Sequence, residues 1–268
     1  MTALTFGYSP CPNDTFAFHA LAHGLVESPV PVTPVLLDIE ELNRRAHEGD
    51  FALTKLSVGA FAAVGDRYRM LRSGAALGHG VGPLVVAREA ISLEAAARGP
   101  IAIPGRETTA YRLLRLAAPE LGEVVEMRYD RILRAVASGE VAAGLIIHES
   151  RFTYAEHGLV RVVDLGDWWE RDTGLPVPLA GICARHDLDA ATMAAAESAI
   201  RASVQHAFDH PEASRAYVRA HAQELSDAVC DQHIALYVNR QSLDVGEAGM
   251  RAIARLVGVQ GRHRLDPG

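Results

Sequence analysis

The chain has 268 residues, 49% of them hydrophobic, and 26 Lys and Arg against 33 Asp and Glu give a formal net charge of −7. That length holds one large domain or two smaller ones, and that composition supports a sizeable core and excludes a disordered chain. An acidic balance with no run of Lys or Arg excludes the electrostatic footprint of a nucleic-acid binder, and no stretch approaches the ~18 uncharged apolar residues of a membrane span.

Three cysteines, Cys11, Cys183 and Cys230, lie far apart. They form no CxxC pair and no disulfide framework, as suits a reducing cytosol. The opening MTALTFGYSP has no basic segment ahead of an apolar core, so no secretory signal is expected and the predicted location is cytoplasmic.

LTFGY, Leu4–Tyr8, reads as the first strand and runs into Ser9-Pro10-Cys11-Pro12-Asn13-Asp14-Thr15. The two prolines hold this turn extended. Asn13 or Asp14 is a good N-cap for a helix through about His23, with Gly24 as its stop. A ligand at the end of this strand would meet Ser9, Asn13 and that helix N-terminus. The same residues equally make a plain capped strand-to-helix loop.

Ser28–Pro34 reads as a proline-rich loop leading to a strand near Val35–Ile39, and Glu40–Glu48 as a helix stopped by Gly49. Phe51–Thr54 is a short strand with Lys55-Leu56-Ser57 at its end. Ser57 can cap the next helix, Val58–Val64. A helix N-terminus with a hydroxyl and a lysine beside it suits an anion such as a carboxylate. Ser73–Pro83, SGAALGHGVGP, carries four glycines but is neither a Walker A motif nor a dinucleotide fingerprint. It reads as a mobile or closely packed connection before a strand at Leu84–Ala87 that could cross between lobes.

Ser92–Arg98 is a short helix and Ile101–Ile103 another strand, ending in Pro104-Gly105-Arg106-Glu107-Thr108-Thr109-Ala110. A helix continues through about Ala118. This repeats the order of strand, turn, hydroxyl residues and helix N-terminus, whose free N–H groups would again face an anion. Val124–Arg128 reads as a strand and Asp130–Ser138 as a helix capped by Asp130 and stopped by Gly139.

Gly144–Ile147 is an apolar run rich in branched residues, the pattern of a buried strand. It stops at His148-Glu149-Ser150-Arg151. Ligands of open α/β sheets bind just beyond the carboxyl ends of strands. His148 therefore stands where such a protein would place a base, because neutral imidazole takes and returns a proton near working pH. The chain has 12 histidines, and one that ends a strand can equally do no more than satisfy a hydrogen bond.

Leu159–Leu165 reads as a further strand. Trp168 and Trp169, the only tryptophans, suit lobe packing better than ligand stacking. Leu175–Arg185 reads as a strand returning to the first lobe, followed by helices at Asp189–Asp209, Glu212–Gln223, Asp227–Val238 and Gly246–Val257. The alternation predicts α/β layers with largely parallel sheets. Two similar strand-to-helix starts and two crossings predict one lobe from residues 1–87 plus 179–268 and a second from 88–178. The ligand cleft is expected between the lobes, touched by Ser57 from one side and by Thr109 and His148 from the other.

SPCPNDTFAFHAL (Ser9–Leu21), LTKLS (Leu53–Ser57), RSGAALGHGVGPLVV (Arg72–Val86), PGRETTAY (Pro104–Tyr111), GLIIHESRFTY (Gly144–Tyr154) and HAQELSD (His221–Asp227) are specific as a set. Together they resemble the 1,4-dihydroxy-6-naphthoate synthase family of the futalosine route to menaquinone, from about Leu4 to Gly249. The resemblance implies a two-lobed, periplasmic-binding-protein-like (type II) α/β fold and a carbon–carbon lyase acting on cyclic dehypoxanthine futalosine, a small-molecule carboxylate. By the same resemblance His148 matches the proton-accepting histidine, and Lys55-Leu56-Ser57 and Thr109-Ala110 match substrate-binding segments. Ser9, Asn13 and Thr108 join them as candidate contacts.

The reaction implied needs no metal or redox cofactor. A base removes a proton, the sugar fragment leaves and the second ring aromatises. No His/Cys/Asp/Glu set is expected to have metal-ligand spacing, and His148 and Glu149 are adjacent, pointing different ways on a strand. Two rivals share the fold, a solute-binding protein and the sister enzyme chorismate dehydratase, and a third class is the effector domain of a transcription regulator. The missing leader counts against the first, the SPCPNDTF and IHES segments against the second, and the absence of DNA-binding helices against the third.

Overall fold

The structure is a computed structural model that describes residues 3–223 and 226–263, with side-chain surroundings as far as Gly258. Glu224 and Leu225 of the HAQELSD run lie outside the described residues.

The chain opens with β1 (Leu4–Tyr8), α1 (Pro12–Ala22), β2 (Val32–Leu36), α2 (Ile39–Ala46), β3 (Leu53–Ser57), α3 (Val58–Val64), β4 (Tyr68–Met70) and β5 (Ala76–Gly78). There follow β6 (Leu84–Ala87), α4 (Leu93–Ala97), β7 (Ile101–Ile103), α5 (Thr109–Ala117), β8 (Val124–Glu126), α6 (Tyr129–Ser138), β9 (Ala143–Ile146), α7 (Ser150–Thr153), β10 (Val160–Asp164) and α8 (Leu165–Thr173). Strand β11 (Val177–Arg185) leads to α9 (Ala190–Asp209), α10 (Arg215–His221), α11 (Asp227–Tyr237), α12 (Arg240–Leu243) and α13 (Gly246–His263).

These elements form two compact units. One comprises the chain up to Gly78 and from Pro178 onward; the other is His79–Val177. The first boundary thus falls earlier than the expected residue 87. Strand β6 does not cross between units, because its backbone pairs with β9 and β10 inside the second sheet.

The first sheet has the order β2-β1-β3-β11-β4, with β5 on β11. Strand β1 is parallel to β2 and β3, whereas β11 runs antiparallel to β3 and β4. The second sheet has the order β10-β6-β9-β7-β8; β7 is parallel to β8 and β9, and β6 is antiparallel to β9 and β10. Both sheets are therefore mixed, which corrects the largely parallel expectation. A returning strand that enters from the opposite end must pair antiparallel, and hydropathy alone does not record that direction.

Helix α1 is buried along most of its length, polar Asn13, Asp14 and Thr15 included, because neighbours cover it on nearly every side. Phe18 packs edge-on against Phe6 and Tyr8 of the sheet at centroid distances of 5.2 and 5.3 Å. Its other side meets α9, where the Ser203 hydroxyl donates to the Ala17 carbonyl at 2.8 Å and accepts the Leu21 N–H at 3.0 Å. Full burial of each such aromatic contributes about 1.5–3 kcal/mol. In the second unit α6 lies so close to β9 that a Cβ on Gly144 would stand 2.5 Å from Ile132 Cγ2. Trp169 belongs to this unit's core, where its Nε1–H donates to the Pro176 carbonyl at 3.0 Å.

Candidate active site

In the first unit, the adjacent parallel strands β1 and β3 end at the same side of the sheet, with Gly7 opposite Thr54. Ser9 and the start of α1 are thereby brought to Lys55, the place where such sheets bind ligands. Cys11, not Asn13 or Asp14, is the N-cap of α1, and Pro12 opens the helix. This corrects the expected cap: proline is pre-shaped for a first helical position, so the helix starts earlier. Asp14, one turn in, is free to gather donors. Its Oδ2 accepts the Ser9 hydroxyl at 2.7 Å and the Ser9 N–H at 3.1 Å. Its Oδ1 accepts the Asn13 amide at 2.8 Å and the Lys55 ammonium. The side chains of Lys55 and Asp14 are 5% and 2% exposed, so the lysine charge is matched inside the protein and is not displayed as a free cation. Asn13 Nδ2 is committed to Asp14, so its Oδ1 accepts from His233 Nε2 at 2.9 Å, and that ring nitrogen carries the proton.

Ser57 sits at the N-cap of α3 but its side chain makes no cap bond. Asn43 on α2 holds it instead. The Asn43 amide donates to Ser57 Oγ at 3.1 Å and to Glu40 Oε2 at 3.1 Å, and its carbonyl accepts the Ser57 N–H at 3.0 Å. With Oγ already accepting, the Ser57 hydroxyl proton is available to an acceptor such as a carboxylate. Leu56 points the other way, into a cluster with Ala46, Val64, Tyr68 and Cys183, and can offer a ligand only its backbone.

In the second unit, β7 and β9 are adjacent and parallel, with Ala102 opposite Gly144. Their carboxyl ends deliver the Thr108–Ala110 turn and His148 to one side of the sheet. Thr108 caps α5: its Oγ1 accepts the Tyr111 N–H at 3.1 Å and donates to the Gly105 carbonyl at 2.8 Å. That hydroxyl shapes the turn and has no proton left for a ligand. Thr109 and Ala110, both buried, form the first turn of α5.

His148 is the second residue after β9 and has φ of 57°, the one positive φ outside glycine among the described residues. A left-handed backbone costs an L-residue about 1–2 kcal/mol. Such strain held against its cost is an observed mark of functional positions. It turns the half-buried imidazole off the strand path, edge-on to the Tyr129 ring at 4.8 Å. The Tyr129 hydroxyl reaches Glu149 Oε1 at 3.3 Å. Arg151 anchors the segment by donating to the Gly82 carbonyl and to Asp164 Oδ2, the latter at 2.7 Å. Asp164 in turn caps α8 through Gly166 and Asp167 N–H groups at 2.8 and 3.2 Å.

Sequence reasoning passed over Asn43, Glu40, Asp14 as an ion-pair partner, and His233. A signal existed for one of them: Asn43 interrupts the apolar stripe of α2, between Leu42 and Ala46, and is wholly buried. A polar side chain on a buried helix face implies a partner.

The family model described as menaquinone biosynthesis matches residues 4–261. The chain belongs to this family. It is 61% identical to the 1,4-dihydroxy-6-naphthoate synthase of Thermus thermophilus, covering 96% of this chain and 93% of that protein. It is 47% identical to the protein of the same name from Streptomyces coelicolor, covering 95% and 91%. Among solved structures, protein AF1704 of Archaeoglobus fulgidus superposes with a TM-score of 0.92 at 37% identity over 98% of each chain. The periplasmic aliphatic sulphonate binding protein of Escherichia coli superposes with a TM-score of 0.65 at 14% identity, over 99% of this chain and 89% of that one. At that identity the likeness shows the fold alone, and this member of the menaquinone-biosynthesis family has a periplasmic-binding-protein-like α/β fold.

Proposed function

We propose that the chain is a lyase that converts cyclic dehypoxanthine futalosine to 1,4-dihydroxy-6-naphthoate, with His148 as the base that starts the reaction. The observation that carries this reading is the left-handed backbone of His148 at the carboxyl end of a central strand. It is supported by identity to two synthases of that name over nine-tenths of their length.

Neutral His148 takes a proton from the substrate, the sugar fragment departs, and aromatisation of the second ring supplies driving force. In the first unit the Ser57 hydroxyl donates to the substrate carboxylate, with the backbone of Lys55 and Leu56 beside it. In the second, the first turn of α5 at Thr109 and Ala110 offers N–H donors to developing negative charge. Ser9, Asn13 and Thr108 act by shaping these two faces, since their side-chain hydrogen bonds go to the protein. No metal or redox cofactor is needed, and the enzyme works in the cytoplasm.

The test is incubation of purified protein with cyclic dehypoxanthine futalosine and detection of the naphthoate by mass spectrometry. The fold keeps one second reading alive, that of a small-carboxylate-binding protein, which would bind without releasing product. The sister activity, chorismate dehydration, is checked by supplying chorismate in the same assay.

A further inference from the structure

Histidines gather on the helical side of the first unit, at the far end of α1 from Asp14. His19 and His23 are four residues apart, in HALAH, and their rings lie 4.5 Å apart between centroids. The ring of Tyr217 stands 5.6 Å from His19 and 4.7 Å from His23. Residues four apart on a helix share a face, and two imidazoles so placed can share one ion.

We propose that His19 and His23 chelate a late divalent transition-metal ion, of the class of Zn²⁺, Ni²⁺ and Cu²⁺, through one ring nitrogen each. Three features prepare the pair. The Nδ1 of His23 lies 2.9 Å from the His19 carbonyl, which can only accept, so Nδ1 carries the proton and Nε2 keeps its lone pair. The His19 ring makes no side-chain hydrogen bond among the described residues, so both its nitrogens are available. Partial burial and the neighbouring His23 and His206 hold the His19 pKa below its ordinary value, which keeps the ring neutral and able to ligate at neutral pH. Metal–nitrogen bonds of about 2.0–2.1 Å put the two donor atoms at most about 4 Å apart, which the ring spacing allows. Imidazole nitrogen suits these ions and disfavours Mg²⁺ and Ca²⁺. A second pair, His206 and His210, has the same spacing and rings 4.6 Å apart. Both pairs end on a helix C-cap, His23 and His210, but neither ring of the second pair is oriented by a side-chain hydrogen bond among the described residues, as His23 is.

The bound ion would tie the last turn of α1 to its C-cap. It lies outside the residues assigned to the reaction, so it is a stabilising site and not a catalytic one.

The experiment uses the untagged full chain, washed with chelator, and titrates it with NiCl₂ by calorimetry at pH 7.5, with thermal unfolding followed in parallel. One saturable site is expected, with a rise in Tm on adding nickel. His23→Gln and His19→Gln should each weaken binding by about 10–100-fold or more and abolish the Tm rise. His210→Gln should bind as the wild type does, and MgCl₂ should give no effect. These side chains are exposed or half-buried, so the variants fold. Unchanged nickel binding in His23→Gln, or loss of binding in His210→Gln instead, would overturn the proposal.

Discussion

Asn43 grips Ser57 at two points, donating to its Oγ at 3.1 Å and accepting its backbone N–H at 3.0 Å. The grip decides which way the serine hydroxyl can point. An oxygen that already accepts from an amide turns its own proton elsewhere, here toward a ligand.

Ser57→Ala should therefore raise KM by roughly tenfold, the worth of one hydrogen bond of about 1.4 kcal/mol, with a smaller change in kcat. Asn43→Ala should raise KM similarly and also lower stability by about 1–3 kcal/mol, because it strands the Ser57 N–H in a buried site. Steady-state kinetics and urea unfolding of both variants check this. A Ser57→Ala enzyme with unaltered KM would mean that the carboxylate is bound elsewhere.

His148→Asn should fold normally, since asparagine tolerates the left-handed backbone that His148 adopts. Turnover should fall by roughly 10²–10⁴ with little change in substrate affinity. The wild-type rate should rise with pH as imidazolium gives way to neutral imidazole, and the Asn variant should lose that dependence. Turnover and affinity measured from pH 5 to 9 decide the matter; a variant that loses affinity alone would make His148 a binding residue.

The Lys55–Asp14 pair should show strong coupling. Removing only the lysine, as in Lys55→Met, leaves the buried Asp14 carboxylate without its cation and should cost about 3–5 kcal/mol. Lys55→Met with Asp14→Asn should recover much of that loss. A double-mutant cycle by urea denaturation gives the coupling energy, and additive effects would show that the two charges do not depend on each other.

Gly144→Ala probes how β9 carries His148. The added Cβ would stand 2.5 Å from Ile132 Cγ2 and 2.7 Å from Val136 Cγ2. Overpacking of this kind costs about 1–3 kcal/mol, so Tm should fall. Turnover should fall as well, because the strand that shifts to relieve the clash ends two residues before the histidine.

Activity should survive exhaustive chelation, because the proposed step is a proton transfer to imidazole. The nickel site at His19 and His23 should empty under the same treatment with a drop in Tm alone. Loss of turnover restored by zinc or magnesium would overturn the metal-free reading.

Much of the architecture was legible in the chain. Runs such as LTFGY and GLII declare buried strands, and the hydroxyl-bearing turns after them declare helix starts. Strands β4 and β5 were not legible, being three residues each, too short for a period of two to stand out from chance. Nor was the sheet assignment of β6, which depends on its partners β9 and β10.

The candidate site divides the same way. That Ser57, Thr109 and His148 each follow a strand is a local property, written in consecutive residues. Which of them has a proton or a lone pair to offer is not. Ser57 depends on Asn43, 14 residues away, Lys55 on Asp14, 41 away, and Asn13 on His233, 220 away. A buried polar group takes its state from whatever partner the fold brings to it, so only the tertiary structure could pair Lys55 with Asp14 and leave the Ser57 proton free, whereas the Thr108 hydroxyl is spent locally on Gly105 and Tyr111.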